Sequence, residues 1–237
     1  MEEVITTMES PIDVMYLLHK AFRAQSERVE KLAAQGEAGG DLTEFKAAFE
    51  FWIKQLLYHA TVEDKHMTAP LTGSQAARDN EAEHAELVVH GTGVVDFLAK
   101  GDTAGLSDNV KAAMAALEQE QHQELVAKAQ EVEEVLKRAI GEQKVVARTR
   151  RNLYRRVMAL RVLEFDHFEN EEAFVLPLVR ENMPLQELSV VKHLLLDPEA
   201  SDPRWIIDWV ASELTPQERQ LLAALEGRFE EVATAGD

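Results

Sequence analysis

Along this chain apolar residues recur at alternating steps of three and four, and in four of those stripes a histidine takes an apolar place. One stripe reads Phe45, Phe49, Trp52, Leu56, His59, Glu63, and another Leu153, Val157, Leu160, Glu164, His167, Glu171, Phe174, Leu178. A third runs Ile12, Met15, His19, Phe22, Ser26, Val29, and a fourth His84, Leu87 or Val88, Gly91, Val94 or Val95, Leu98. That spacing belongs to the inward face of a helix, and nothing in the sequence argues for strands. The segments between the 11 glycines and 7 prolines are long and rich in Ala, Leu, Glu, Gln, Lys and Arg, so the fold class is all-α.

Local signals set the expected elements. Ser10 caps a first helix with Pro11 in its first turn, and the helix should run to about Ala34, before Gly36 and the Gly39-Gly40 pair. Asp41 or Thr43 caps a second, reaching about Met67. A third spans about Gln75 to Lys100, a fourth about Ser107 to Ile140, and a fifth about Gln143 to Arg180 with Pro177 in its last turns. After Glu181, prolines at 184, 198, 203 and 216 divide the rest into short helices. One of them starts at Thr215-Pro216-Gln217-Glu218, a capping-box pattern. The expected domains are a metal-binding bundle over 1–180, with 107–140 as an extra helix, and a C-terminal helical extension over 181–237 packing on it as a cover.

The histidines and carboxylates on the inward faces need a physical reason to be there. Residues four apart on a helix project side by side, so His59 with Glu63 and His167 with Glu171 can each chelate one centre. A buried ionised carboxylate is costly unless something positive pairs with it, and no Lys or Arg stands on these seams near the two pairs. Dications between the helices would supply the missing charge. The two pairs also sit in similar surroundings: His59-Ala-Thr-Val-Glu63-Asp64 precedes Pro70-Leu71, and His167-Phe-Glu-Asn-Glu171-Glu172 precedes Pro177-Leu178. This echo fits two helix pairs related by a pseudo-twofold axis. The expected metal site is therefore His19, His59, Glu63, His84, His167 and Glu171.

Charge and composition close off other functions. Lys and Arg number 25 against 43 Asp and Glu, a formal net charge of −18, which repels nucleic-acid phosphates and anionic lipid. Without cysteine there is no disulfide, thiolate nucleophile or iron–sulfur cluster, and a metal must be held by His, Asp, Glu or Tyr. Met1-Glu2-Glu3 opens the chain with no basic region before an apolar stretch, and no run approaches the ~20 apolar residues of a membrane span. The expected location is cytoplasmic, with no nucleic-acid or membrane partner.

A lone histidine, then His-x3-Glu, a lone histidine and a second His-x3-Glu, in an acidic helical chain without cysteine, resembles the hemerythrin-like (HHE cation-binding) family over roughly residues 10 to 180. The resemblance implies an up-down four-helix bundle around two non-haem Fe ions. By position it implies His19 and His59 on one iron, His84 and His167 on the other, and Glu63 and Glu171 bridging both. The chain departs from the oxygen-carrying members one turn after the third-helix ligand, where it has Val88 in place of a second histidine, and His90 stands about 120° away round the helix. Two histidines, two bridging carboxylate oxygens and one oxo or hydroxo bridge give each iron five donors and leave a position open on each. The expectation is a centre that binds or consumes O2, peroxide or nitric oxide, catalase-like turnover included. The alternative is a non-catalytic iron or O2 sensor acting through a protein partner.

Other polar residues take lesser roles. His66, seven residues past His59, falls on the same face about 10.5 Å along the axis, near the bundle mouth. Glu164, three before His167, either orients that histidine or is solvated. Tyr58 and Tyr154 are read as packing, with a phenolate ligand to a ferric ion as the alternative, His122 as packing or surface, and His193 and the Trp205 to Trp209 stretch as part of the cover. The basic cluster from Arg148 to Arg156 offsets acidic neighbours or docks a partner.

Overall fold

Prolines and a few capping side chains set where each helix of this chain begins. The computed structural model describes residues 4–38, 42–71, 73–99 and 142–232. Helix α1 covers Val14–Glu37, preceded by a 3-10 turn over Pro11–Asp13. The Asp13 carboxylate accepts the backbone N–H groups of Glu9 and Ser10 at 2.6 and 3.1 Å, satisfying donors that a helix start leaves orphaned. Helix α2 spans Thr43–Glu63 and α3 Gln75–Ala99. Helix α4 spans Glu142–Asn170, α5 Leu176–Asn182, α6 Glu187–Leu195, α7 Trp205–Glu213 and α8 Pro216–Glu226. There is no strand among the described residues. The expected helix over 107–140, and His122 with it, lies outside them.

α1 runs three residues past the expected stop at Ala34. Gly36 sits inside the helix, where a Cβ would stand 2.5 Å from Leu42 Cδ2 and the leucine side chain would have to shift. The Gly36 carbonyl also accepts from Arg150 at 2.6 Å.

Two wide turns interrupt the long helices. A π-turn over Asp64–Thr68 follows α2, and a second over Glu171–Val175 joins α4 to α5. In each, the residue just before a proline, Ala69 or Leu176, donates its N–H to a carbonyl five residues back, Asp64 or Glu171. Proline has no N–H and its ring crowds the carbonyl a turn back, and both wide turns start six residues ahead of their proline while Ala69 and Leu176 keep α geometry. The extra residue corrects one expectation. The stripe on α4 is buried from Leu153 through Glu171, but Phe174 then turns outward at 61% exposure while Val175, Leu176 and Val179 face in.

The chain divides into two compact units. The second comprises Gln25–Leu57 and His84–Glu164. Phe45, Phe49, Trp52, Leu153, Val157 and Leu160 make its interior, with Phe49 and Trp52 edge to face. Glu164, fully buried there, accepts from Trp52 Nε1 at 2.6 Å; it is not solvated. Arg150 and Arg151 of the basic cluster are tied to the end of α1, the latter facing Glu37 at 3.3 Å.

The first unit comprises Met1–Ala24, Tyr58–Glu83 and Phe165–Asp237. Here Phe22 meets Trp209 edge to face at 5.0 Å, and Ile12 donates its N–H to buried Glu187 at 3.1 Å. The capping box expected at Thr215 is present, and its glutamate does more than cap. Glu218 Oε2 accepts Thr215 N–H at 2.9 Å, while Oε1 takes Ile5 N–H at 3.1 Å and the buried Lys20 ammonium at 2.7 Å.

Candidate metal centre

Seam periodicity carries His19 of α1 and His59 and Glu63 of α2 into the first unit's interior, and Glu171, the first residue of the second π-turn, joins them. One ligand atom from each of these four buried residues lies within 4.8 Å of the others. Glu63 and His167 also offer atoms within 4.8 Å of one another. His84 is buried on α3 as the first residue of the second unit.

The distances show how the donors face each other. His19 Nε2 is 3.2 Å from Glu171 Oε2, His59 Nε2 is 2.9 Å from Glu63 Oε1, and His167 Nε2 is 3.8 Å from Glu171 Oε2. Yet His19 Nε2, both ring nitrogens of His59 and both oxygens of Glu171 are buried with no hydrogen-bond partner among the described residues. Buried polar atoms are nearly always matched. Imidazole nitrogens and carboxylate oxygens that converge with so many lone pairs unmatched are a donor set suited to a divalent cation. No ordinary core network leaves so many of its own atoms unmatched.

Two carboxylates that seam periodicity does not single out hold the imidazoles from behind. Glu172 Oε1 sits 2.8 Å from His19 Nδ1 and also takes Arg23 NH2 at 3.0 Å. Glu83 Oε2 sits 3.0 Å from His167 Nδ1, and its Oε1 takes Asn170 Nδ2 at 2.7 Å. A carboxylate on Nδ1 fixes the proton there and turns Nε2 toward the interior, as outer carboxylates do for metal-ligating histidines. The role weighed for Glu164 at His167 thus belongs to Glu83. The Phe168 ring stacks on His19 with centroids 4.1 Å apart and planes 10° off parallel, which fixes the imidazole plane.

Electrostatics at His19 follow from these neighbours. Burial disfavours a charged imidazole, but Glu171 and Glu172 on either side outweigh it and push His19 up to about 9. Burial also opposes ionisation of Glu172, yet His19 and Arg23 hold its carboxyl below the usual range. With a raised value, the stability His19 gives the metal-free protein is fully present below its ordinary 6.5 and is lost as pH rises through about 9. A metal ion must displace that proton. Metal affinity should therefore fall by about tenfold per unit of acidity below about 9 from His19 alone. Titration of Fe(II) in weak buffer, with an indicator for released protons, reads this directly. Uptake independent of pH with no proton release would contradict it.

The remaining side chains lie off the cluster. Tyr58 donates its hydroxyl to the carbonyls of His193 and Leu196 at 2.7 and 3.0 Å, and burial keeps the phenol protonated. Tyr154 faces Glu30 Oε1 at 3.5 Å. His66 is half-buried and stacks on His193 with centroids 4.1 Å apart.

No helix among the described residues is long and apolar enough to cross a membrane. No curated protein and no solved structure matches the chain. Residues 10–120 match the family model described as Hemerythrin HHE cation binding domain, a span that takes in His19, His59, Glu63 and His84. Over that span the chain is similar to a hemerythrin cation-binding domain, and its buried His/Glu cluster is able to hold metal.

Proposed function

We propose that the protein is a non-haem di-iron protein that reacts with O2, peroxide or nitric oxide. On this reading His19 and His59 hold one iron, His84 and His167 the other, and Glu63 and Glu171 bridge the two. The observation that carries it is the convergence of His19, His59, Glu63 and Glu171, four buried ligand residues with atoms of three of them unmatched by hydrogen bonds. Bridging is supported by shared proximity. Glu171 faces the Nε2 atoms of both His19 and His167, and Glu63 is within reach of His167 as well as of the first group.

When bound, the metal pair would supply electrons and open coordination positions to a small oxidant or diatomic ligand. The chain's own residues do the rest. Glu172 and Glu83 hold protons on Nδ1 of His19 and His167, so both rings present Nε2. Phe22 and Phe168, both buried, pack against the His19 and His59 rings and exclude water from that side. Tyr58, tied to two backbone carbonyls and kept protonated by burial, supplies no phenolate.

A second reading, a non-catalytic sensor acting through a protein partner, draws on what flanks His19. Lys20 is tied to Glu218, and Phe22 to Trp209, so a change at the centre has a direct path to the C-terminal helices. Anaerobic iron loading tests both readings. About two irons per chain are expected, and after oxidation an absorption band that bleaches on reduction. A protein that takes up no transition metal overturns both. Dioxygen titration of the reduced form then discriminates: oxidation without a reversible adduct is expected, and a stable, fully reversible adduct refutes the reactive centre. Peroxide consumption above that of free iron favours the enzyme, and its absence favours the sensor.

A further inference from the structure

Where α3 begins, the first unit carries a half-open cavity of about 320 Å3 whose lining includes Asp79, Asn80, Glu83, Asn170 and Phe174. Asn80 is only 2% exposed, and neither its amide nitrogen nor its amide oxygen has a hydrogen-bond partner among the described residues. An amide buried with both ends unmatched is rare and unfavourable, and a group that meets it from the cavity must bring an acceptor for Nδ2 and a donor for Oδ1.

The rest of the lining says which chemistry fits. Asp79 and Glu83 bring two carboxylates and no lysine or arginine lines the cavity, in a chain whose formal charge is already −18. Anions are repelled and a cation is drawn in. The Phe174 ring, turned outward by the π-turn, and the buried Val175 give an apolar wall against which an organic body or an ammonium can lie. The volume is at the lower end of that found for sites taking small organic ligands.

We infer that this cavity is a binding site for a small organic amino alcohol with an apolar or aromatic group, its ammonium set against Asp79 and Glu83 and its hydroxyl against the Asn80 amide. Binding does not require the metal centre. Glu83 also holds His167 Nδ1, so occupancy would be felt at the proposed iron site, a consequence that rests on the di-iron reading.

Calorimetric titration of the full-length protein with 2-amino-1-phenylethanol tests the site, with mandelate as the analogue that exchanges the ammonium for a carboxylate. Saturable binding of the amine is expected, at least about tenfold tighter than mandelate. Asn80→Leu should weaken it by about tenfold, through the lost hydrogen bonds to the ligand hydroxyl. Phe174→Ala, at an exposed position where folding is not at stake, should weaken it several-fold without altering the preference over mandelate. No saturable binding, equal affinity for mandelate, or affinity unchanged in both variants overturns the proposal, leaving the cavity to water. The metal-free and iron-loaded proteins are titrated alike, so failure of the di-iron reading leaves this result intact. In loaded protein a shift of the iron absorption on adding the amine reports the link through Glu83.

Discussion

Replacing Glu171 by alanine is expected to abolish most of the rise in melting temperature that iron gives the intact protein. A metal ion a thousandfold above its dissociation constant stabilises the folded state by about 4 kcal/mol. In a chain of this length that corresponds to roughly 8–16 °C. Glu171 faces the Nε2 atoms of both His19 and His167, so its loss removes a donor on which both proposed metal positions depend. In the metal-free protein the same change should cost less than the lost iron effect, and only at a pH where His19 is protonated, because Glu171 helps to hold that proton while Glu172 remains as its partner. Differential scanning with and without Fe(II), on both proteins, separates the two effects. A variant that keeps the full iron-dependent rise shows that Glu171 is not a bridge.

Glu218→Ala should be the most damaging substitution far from the metal ligands in sequence. It leaves the buried Lys20 ammonium without its carboxylate, opens the Thr215 cap and frees the Ile5 N–H, all at once. Breaking one partner of a buried ion pair costs about 3–5 kcal/mol. The double variant Lys20→Met/Glu218→Ala should recover much of that loss, since no buried charge then stands alone. Burial by itself would raise the Glu218 carboxyl, but Lys20, Thr215 and Ile5 hold it down at about 2. The folded value is below the ordinary 4.5, so this contribution is present above about 4.5 and is lost as pH falls toward 2. Urea unfolding at neutral and acidic pH measures it. A wild-type advantage over Glu218→Ala that persists unchanged below pH ~2 would contradict the assignment.

How legible the molecule was in its residues depends on what each signal averages over. Periodicity found the inward faces of α1, α2 and the ligand-bearing part of α4, because a seam of six or more residues outweighs any one exception. It misplaced Phe174, because counting by 3.6 cannot see an extra residue in a turn. The Pro70 and Pro177 pair was the available sign: both stand six residues past the start of a π-turn. The end of α1 falls three residues past Ala34, at Glu37, because a single glycine inside a helix weakens it without stopping it. Glu83 and Glu172 escaped notice because each is a sequence neighbour of a seam residue, His84 and Glu171, set about 100° round the helix where solvated carboxylates also lie. Glu218 was read as a cap, and its hold on Lys20 spans 198 residues, beyond any local pattern.

The wide turn at Glu171–Val175 also means that one continuous helical path meets two unrelated packing demands. A single inserted residue rotates all that follows by about 100°. His167 and Glu171 thus keep their aim while Val175, Leu176 and Val179 take whatever azimuth their neighbours in the first unit require. Deleting one residue from that turn would splice the two phases together, and either the ligands or the aliphatic side chains beyond them would have to give way.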